Sequence, residues 1–535
     1  MAHTEKRRGQ DFAGGILILT VSNLLVKAIG LLFKIPMNYI AGDGGMGYYN
    51  SAYAVYTLFY MLSTSGLPIA GSVMISEYRA NGQRAAAKRV YRLSLALFLT
   101  IGAGVAAVMF FGADSLAAWI RSDASAPAIA ALSPAILFIC ITSAVRGYFQ
   151  GCGNLTPTAV SQLIEAGGKL AVGVTGAAYA VRMGYDAPTV AAYAVCGLTV
   201  GSLGGMIFLA AARIQRGDRD LMTDSPASTA KLPRRRDLLR RFAVLSIPVT
   251  VSASVMSLTN MMDTVLIQRT LRQTGMGAGE AAALYGNYTS LAVPIFNLPP
   301  VFIYPLAAAL VPTVAAAFSS GRRDAAAEKV GSALRYAVLI GLPASLGMAV
   351  MADPLLCLLY RDSSAHLAAP LLTLLSPSAF FVCILAVTNA VLQSCGQERK
   401  PVVSMLVGAV VKGVTSALLL RRFGIAGAPL STFCCYFVST VLNFRFVIRY
   451  TGVRLRVGQT FVKPLLAGLA CALTAAGLDR LLSGRIGQSA ACLLSIGAAV
   501  VVYAGLIVLL GAVTAADGAL LTERFHKKGK KLENP

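Results

Sequence analysis

The stretch "RGYFQGCGNLTPTAVSQLIEAGGK" (Arg146–Lys169) lines up without a gap on "NAVLQSCGQERKPVVSMLVGAVVK" (Asn389–Lys412). Gln150, Cys152, Gly153, Ser161, Leu163 and Lys169 fall on Gln393, Cys395, Gly396, Ser404, Leu406 and Lys412. One such match between apolar segments means little. A second block in the same order means more: Tyr48, Asn50 and Pro68 fall on Tyr285, Asn287 and Pro305, and the turns that follow read "GQRAAA" and "GRRDAAA". The chain is predicted to carry one architectural plan twice.

The repeated unit is a set of membrane spans. Of the 535 residues, 56% are hydrophobic and 13% charged, with a mean hydropathy of +0.67. A soluble protein carries about 25% charged residues. Fourteen apolar segments recur along the chain, most of them long enough to cross hydrocarbon as a helix. The first follows "MAHTEKRRGQ", outruns a signal-peptide core and meets no small-residue cleavage site, so it reads as a retained helix. The predicted fold is an all-α polytopic membrane protein: two parallel six-helix lobes plus two C-terminal helices. Residues 1–212 are assigned to the N-terminal lobe, 213–241 to a cytoplasmic linker and 242–450 to the C-terminal lobe. Residues 451–522 carry the last two helices, and 523–535 form a basic tail. A repeat displaced by six spans keeps its direction, which implies an axis along the membrane normal and alternating access by rocking of the lobes.

The net charge of +24 is topological. With the N-terminus inside, Lys and Arg on that side outnumber those on the other roughly fourfold, which puts both termini in the cytoplasm. Placement in alternate loops argues against a nucleic-acid partner and leaves attraction to anionic membrane lipid. The ten cysteines fall mostly inside apolar segments and show no C-x-x-C spacing, so they read as small buried hydrophobes rather than a disulfide framework. His3, His366 and His526 fall in tails or a loop, and no metal site or cofactor is expected. No G-x-x-x-x-G-K-[ST] loop is present, so the chain is not expected to hydrolyse ATP. The loops carry scattered Asp residues without a paired-carboxylate constellation, so no catalytic residues are assigned and the chain is read as a non-enzyme.

Charges inside the spans are the candidate site. Lys27 and Lys34, in "SNLLVKAIGLLFKIPM" (Ser22–Met37), lie two turns apart on one helix face, about 10 Å from each other. Each costs roughly 3 kcal/mol to insert. Snorkelling to the interface is one account, stronger for Lys34 than for the deeper Lys27. A cationic cavity wall for a diphosphate is the other. Asn23 shares that face, and Asn50 and Tyr53 on the second span are expected to complete the wall. Pro36 and Gly30 suit a bendable first helix, and "AGDGGMG" (Ala41–Gly47) reads as a flexible outer loop. Glu165 and Lys169 are spaced i,i+4 in the orientation that favours a pair. Arg146 sits at the cytoplasmic end of its span, as a gate or interface residue. Asp263 and Lys412 are otherwise isolated intramembrane charges and are expected to share an ion pair or polar network.

At "RGYFQG" followed by "NLTPTAVSQLIE", supported by "GLLFKIPMNYIAGDGGMG" and "GIAGAPLST" (Gly424–Thr432), the chain resembles the SpoVB/MurJ-like branch of the multidrug/oligosaccharidyl-lipid/polysaccharide exporter superfamily. The resemblance covers nearly the whole length. It implies a monomeric flippase of the bacterial cytoplasmic membrane that carries an undecaprenyl-diphosphate-linked saccharide, lipid II being the leading case, for peptidoglycan, sporulation cortex or a surface polymer. It also implies essential cations on the first helix, here lysines rather than arginines. Coupling would run through the membrane potential or a monovalent cation. The family's carboxylate position resembles Asp263, but Lys412 stands where sodium-binding members carry polar or acidic ligands, so its ammonium takes the ion's place. The alternatives are a drug/cation antiporter of the same superfamily and a membrane-embedded glycosyltransferase.

Overall fold

A computed structural model describes residues 2–216, 232–319, 322–360, 363–453 and 456–511. Much of the expected linker and the whole basic tail therefore lie outside the described residues. Packing divides the chain into two compact units, 1–290 and 291–535. The first holds α1 (Ala2–Thr64), α2 (Leu67–Ala80), α3 (Arg84–Phe111), α4 (Ala113–Trp119), α5 (Ala126–Gly151), α6 (Thr156–Arg182), α7 (Ala187–Arg216), α8 (Arg235–Gln273) and α9 (Ala278–Gly286). The second holds α10 (Val293–Phe296), α11 (Leu298–Ser319), α12 (Arg323–Val350), α13 (Ala352–Tyr360), α14 (Ser363–Ser394), α15 (Arg399–Phe423), α16 (Gly427–Thr451), α17 (Lys463–Ile486) and α18 (Gln488–Leu509). A π-helical turn, Asn287–Ala292, joins them. The boundary by packing thus falls beyond α8 and α9, which lie on the far side of the sequence linker but pack on α1.

Among the described residues, nine helical stretches are long and apolar enough to cross a membrane, or ten if the bent pair 278–296 and 298–307 counts as one span. Two of them, 21–80 and 399–451, run for 60 and 53 residues. At 1.5 Å per residue each is long enough to cross twice. The outer surface matches a lipid solvent: Leu473 is 73% exposed, Val501 71% and Leu509 81%. In hydrocarbon these side chains cost nothing, whereas unpaired backbone does. Helix continuity satisfies the backbone, and span hydroxyls turn back on it, as Thr57 does to the Tyr53 carbonyl at 2.7 Å.

With lipid as solvent, helices associate through close packing at small residues. The α6–α7 contact shows it. A Cβ on Gly168 would lie 2.4 Å from Gly201 Cα, and one on Gly197 would lie 2.4 Å from Gly173 N. In the second unit α15 and α16 meet at Gly408, whose Cβ would lie 2.0 Å from Ser439 Oγ.

The expected outer loop at 41–47 is not a loop. Helix continues through it with one break at Gly42 (φ 65°, ψ 178°), a conformation that glycine adopts without strain. Tight packing explains the order there: a Cβ on Gly47 would lie 1.9 Å from the Ala282 carbonyl oxygen, and one on Gly286 2.3 Å from that of Asp43. Gly47 serves this close approach of α1 and α9, while Gly42 supplies the break.

Candidate functional site

The first unit encloses a cavity of about 400 Å³ walled by α1, α5, α6 and α7. Asn23, Lys27 and Tyr53 of α1, Arg146 of α5, and Glu165 and Lys169 of α6 all line it. Six residues singled out on four separate sequence stretches therefore converge on one space. Three of them are cations and one is a carboxylate.

The expected i,i+4 pair on α6 does not form. Glu165 Oε1 accepts from Arg146 Nη2 at 2.9 Å, and Arg146 Nε donates to Ser161 Oγ at 2.9 Å. The guanidinium's fork reaches both acceptors from the neighbouring helix. The side chains are only 11% and 17% exposed, so each removes the cost of burying the other. Lys169 instead lies over aromatic rings, its Nζ 4.8 Å from the Phe33 centroid, 4.9 Å from Tyr53 and 5.8 Å from Tyr49. An ammonium so desolvated gains about 2 kcal/mol from ring faces.

Those rings belong to a ladder that sequence reading missed. Tyr49, Tyr53, Tyr56 and Tyr60 climb one face of α1, with successive centroids 5.9, 5.6 and 5.9 Å apart. Tyr53, Tyr56 and Tyr60 line the cavity. The i, i+4, i+7, i+11 spacing in "YNSAYAVYTLFY" carried the signal. A cavity lined by three cations and by tyrosine rings offers both anion contacts and flat surfaces for apolar sugar faces.

Lys34 and Asn50 do not line this cavity. Lys34 Nζ donates to the Thr289 carbonyl at 2.9 Å, and Asn50 Nδ2 donates to Ser290 Oγ. Both contacts fall on the π-helical turn. Asn287, the repeat partner of Asn50, returns the contact: with its amide nitrogen turned to the Asp43 carboxylate it donates at 2.8 Å. Asp263 is half-buried on α8 of the first unit, and Lys412 is buried on α15 of the second; each has polar contacts of its own.

Residues 12–318 match the family described as "Polysaccharide biosynthesis protein", and residues 248–418 match "MatE". The chain belongs to the polysaccharide biosynthesis protein family. It is 25% identical over 517 residues to "Lipid II flippase MurJ" of Bacillus subtilis (strain 168), covering 92% of this chain and 94% of that one. It is 24% identical over 453 residues to "Stage V sporulation protein B" of the same organism, covering 84% and 86%. Among solved structures, "Lipid II flippase MurJ, inward closed conformation" superposes with a TM-score of 0.66 at 14% identity, covering 92% of this chain and 98% of that one. The fold is therefore that of this exporter group, and the chain is a multi-pass membrane protein.

Proposed function

We propose that the chain is a flippase that moves an undecaprenyl-diphosphate-linked saccharide, lipid II in the leading case, across the cytoplasmic membrane. In this reading it acts as a monomer of fourteen spans, in two parallel six-helix lobes plus two C-terminal helices, with both termini in the cytoplasm. It transports by alternating access rather than catalysing a reaction, and draws on the membrane potential or a monovalent cation. The observation that carries the reading is the cavity lined by Lys27, Arg146 and Lys169 together with Tyr53, Tyr56 and Tyr60 of the tyrosine ladder. A diphosphate needs cations held away from lipid, and a saccharide needs flat apolar faces and hydroxyl partners; the cavity supplies both. Similarity to a lipid II flippase over 92% of the chain supports the cargo class. Asn23 and Tyr53 flank the cations, while Lys34 and Asn50 are assigned to holding α1 against the π-helical turn.

The test is growth. The wild-type chain is expected to rescue cells depleted of their lipid II flippase, and Lys27→Ala/Lys169→Ala to fail at equal membrane abundance by immunoblot. Each lost charge-assisted contact to the headgroup is worth about 1.5–3 kcal/mol. Failure of the wild type to rescue, or rescue by the double variant, overturns the reading. The match of residues 248–418 to MatE favours one rival, a drug/cation antiporter. Drug efflux without rescue would select it.

A further inference from the structure

One cluster in the second unit takes no part in the cavity. Asp353 and Cys357 lie one turn apart on α13, so they share a face, and His366 reaches them from the first turns of α14. The ligand atoms of all three lie within 4.8 Å of one another, and no other group of three such residues among the described ones does so. His366 Nδ1 is 2.6 Å from Asp353 Oδ1. Cys357 Sγ is 3.7 Å from His366 Nε2 and 4.0 Å from Asp353 Oδ1.

These separations have a meaning in metal chemistry. With Zn–S about 2.3 Å and Zn–N about 2.0–2.1 Å, a tetrahedral angle sets sulfur and nitrogen about 3.6 Å apart. The Cys357–His366 edge already has that length. The 2.6 Å hydrogen bond from His366 to Asp353 must open, and the 4.0 Å Cys357–Asp353 edge must close slightly, for all three to ligate one ion. Behind the cluster, Asp479 of α17 is only 9% exposed, and its Oδ1 has no hydrogen-bond partner. A buried carboxylate oxygen without a hydrogen-bond partner is a group whose cost a nearby cation relieves. Cys357 is itself buried.

We propose that Asp353, Cys357 and His366 form a site for one zinc-class divalent cation, with Asp479 supplying the balancing charge. Such an ion is borderline-soft and takes sulfur, nitrogen and oxygen together. The chemistry excludes calcium and magnesium, which want oxygen alone. The role is structural: the ion ties α13 to the start of α14. This site is separate from the transport cavity, so the proposal stands whatever the cargo.

The test uses the full chain purified in detergent with a tag free of histidine, loaded with zinc chloride and dialysed. About one zinc per chain by elemental analysis is expected. Cobalt in its place is expected to show the near-ultraviolet charge-transfer band of a thiolate ligand. Cys357→Ser should abolish that band, and Asp353→Asn and His366→Ala should each weaken zinc binding at least tenfold. The His366 ring is largely exposed, so His366→Ala serves as the folding-neutral variant, checked by gel-filtration profile. Wild-type protein without stoichiometric zinc overturns the proposal, as does binding unchanged by both Cys357→Ser and His366→Ala.

Discussion

At the end of α5 the N–H of Gly153 bonds the Gln150 carbonyl and that of Asn154 bonds Phe149, both at 2.9 Å. At the end of α14 the N–H of Gly396 bonds Gln393 at 3.0 Å and that of Gln397 bonds Leu392 at 2.9 Å. The two glycines take φ of 80° and 69°, the left-handed cap that ends a helix. A second pair repeats as closely. A Cβ on Gly102 would lie 2.8 Å from Cys140 Cβ, and one on Gly341 3.0 Å from Cys383 Cβ. The copies part where charge is concerned. Arg146 and Glu165 form a buried ion pair in the first; the matched positions in the second are Asn389, whose Oδ1 accepts from Asn443 Nδ2 at 2.6 Å, and Gly408. Caps and crossings follow from backbone geometry and persist in both copies. The Arg146–Glu165 pair has no charged counterpart in the second copy, although Lys169 keeps one in Lys412.

The largest test of this asymmetry is Arg146→Ala set against Asn389→Ala. Removing the guanidinium leaves Glu165 buried without its partner, which costs about 3–5 kcal/mol. Removing the amide breaks one neutral hydrogen bond, at about 1 kcal/mol. Thermal unfolding in detergent should separate them clearly, and Arg146→Leu/Glu165→Leu should recover stability but not transport. Equal losses in the two single variants would break the comparison.

Alanine at the glycine crossings should give a smaller difference. Gly168→Ala forces α6 and α7 apart at backbone, about 1–3 kcal/mol of overpacking. Gly408→Ala meets the Ser439 hydroxyl first, which can turn away, so its midpoint should fall less. The smallest expected difference is at the caps. Gly153→Ala and Gly396→Ala should each cost about 1–2 kcal/mol, the strain of a left-handed L-residue, and shift the unfolding midpoint alike. Unequal shifts would show that only one copy depends on its cap.

Much of this was legible in the sequence because it is local. Apolar run length marked a multi-span helical membrane protein, with nine or ten candidate spans among the described residues against fourteen apolar segments in the sequence. Two fixed offsets marked matching helix ends. Asn23, Lys27, Tyr53, Arg146, Glu165 and Lys169 were visible because charge and amide inside hydrocarbon demand a reason. Their partners were not visible. The i,i+4 rule sees one helix, whereas Glu165 finds its cation on α5 and Lys169 finds rings on α1. Lys34 looked like a cavity residue because it shares a face with Lys27, but a helix broken at Gly42 packs against residues more than two hundred positions away. Asp353, Cys357 and His366 were passed over because their spacing matches no familiar ligand motif; the short helix and the turn after it bring them together.

The contact from Lys34 to Thr289 has a consequence for inheritance. Its acceptor is a main-chain carbonyl, which every amino acid supplies. Substitution at 289 leaves the bond's chemistry in place, while loss of the lysine removes it. One end of this contact is therefore open to genetic drift and the other is not. Paired variation among descendants of this chain would reveal the link from Asn50 to the Ser290 hydroxyl, and would pass silently over the one that Lys34 makes a single residue away.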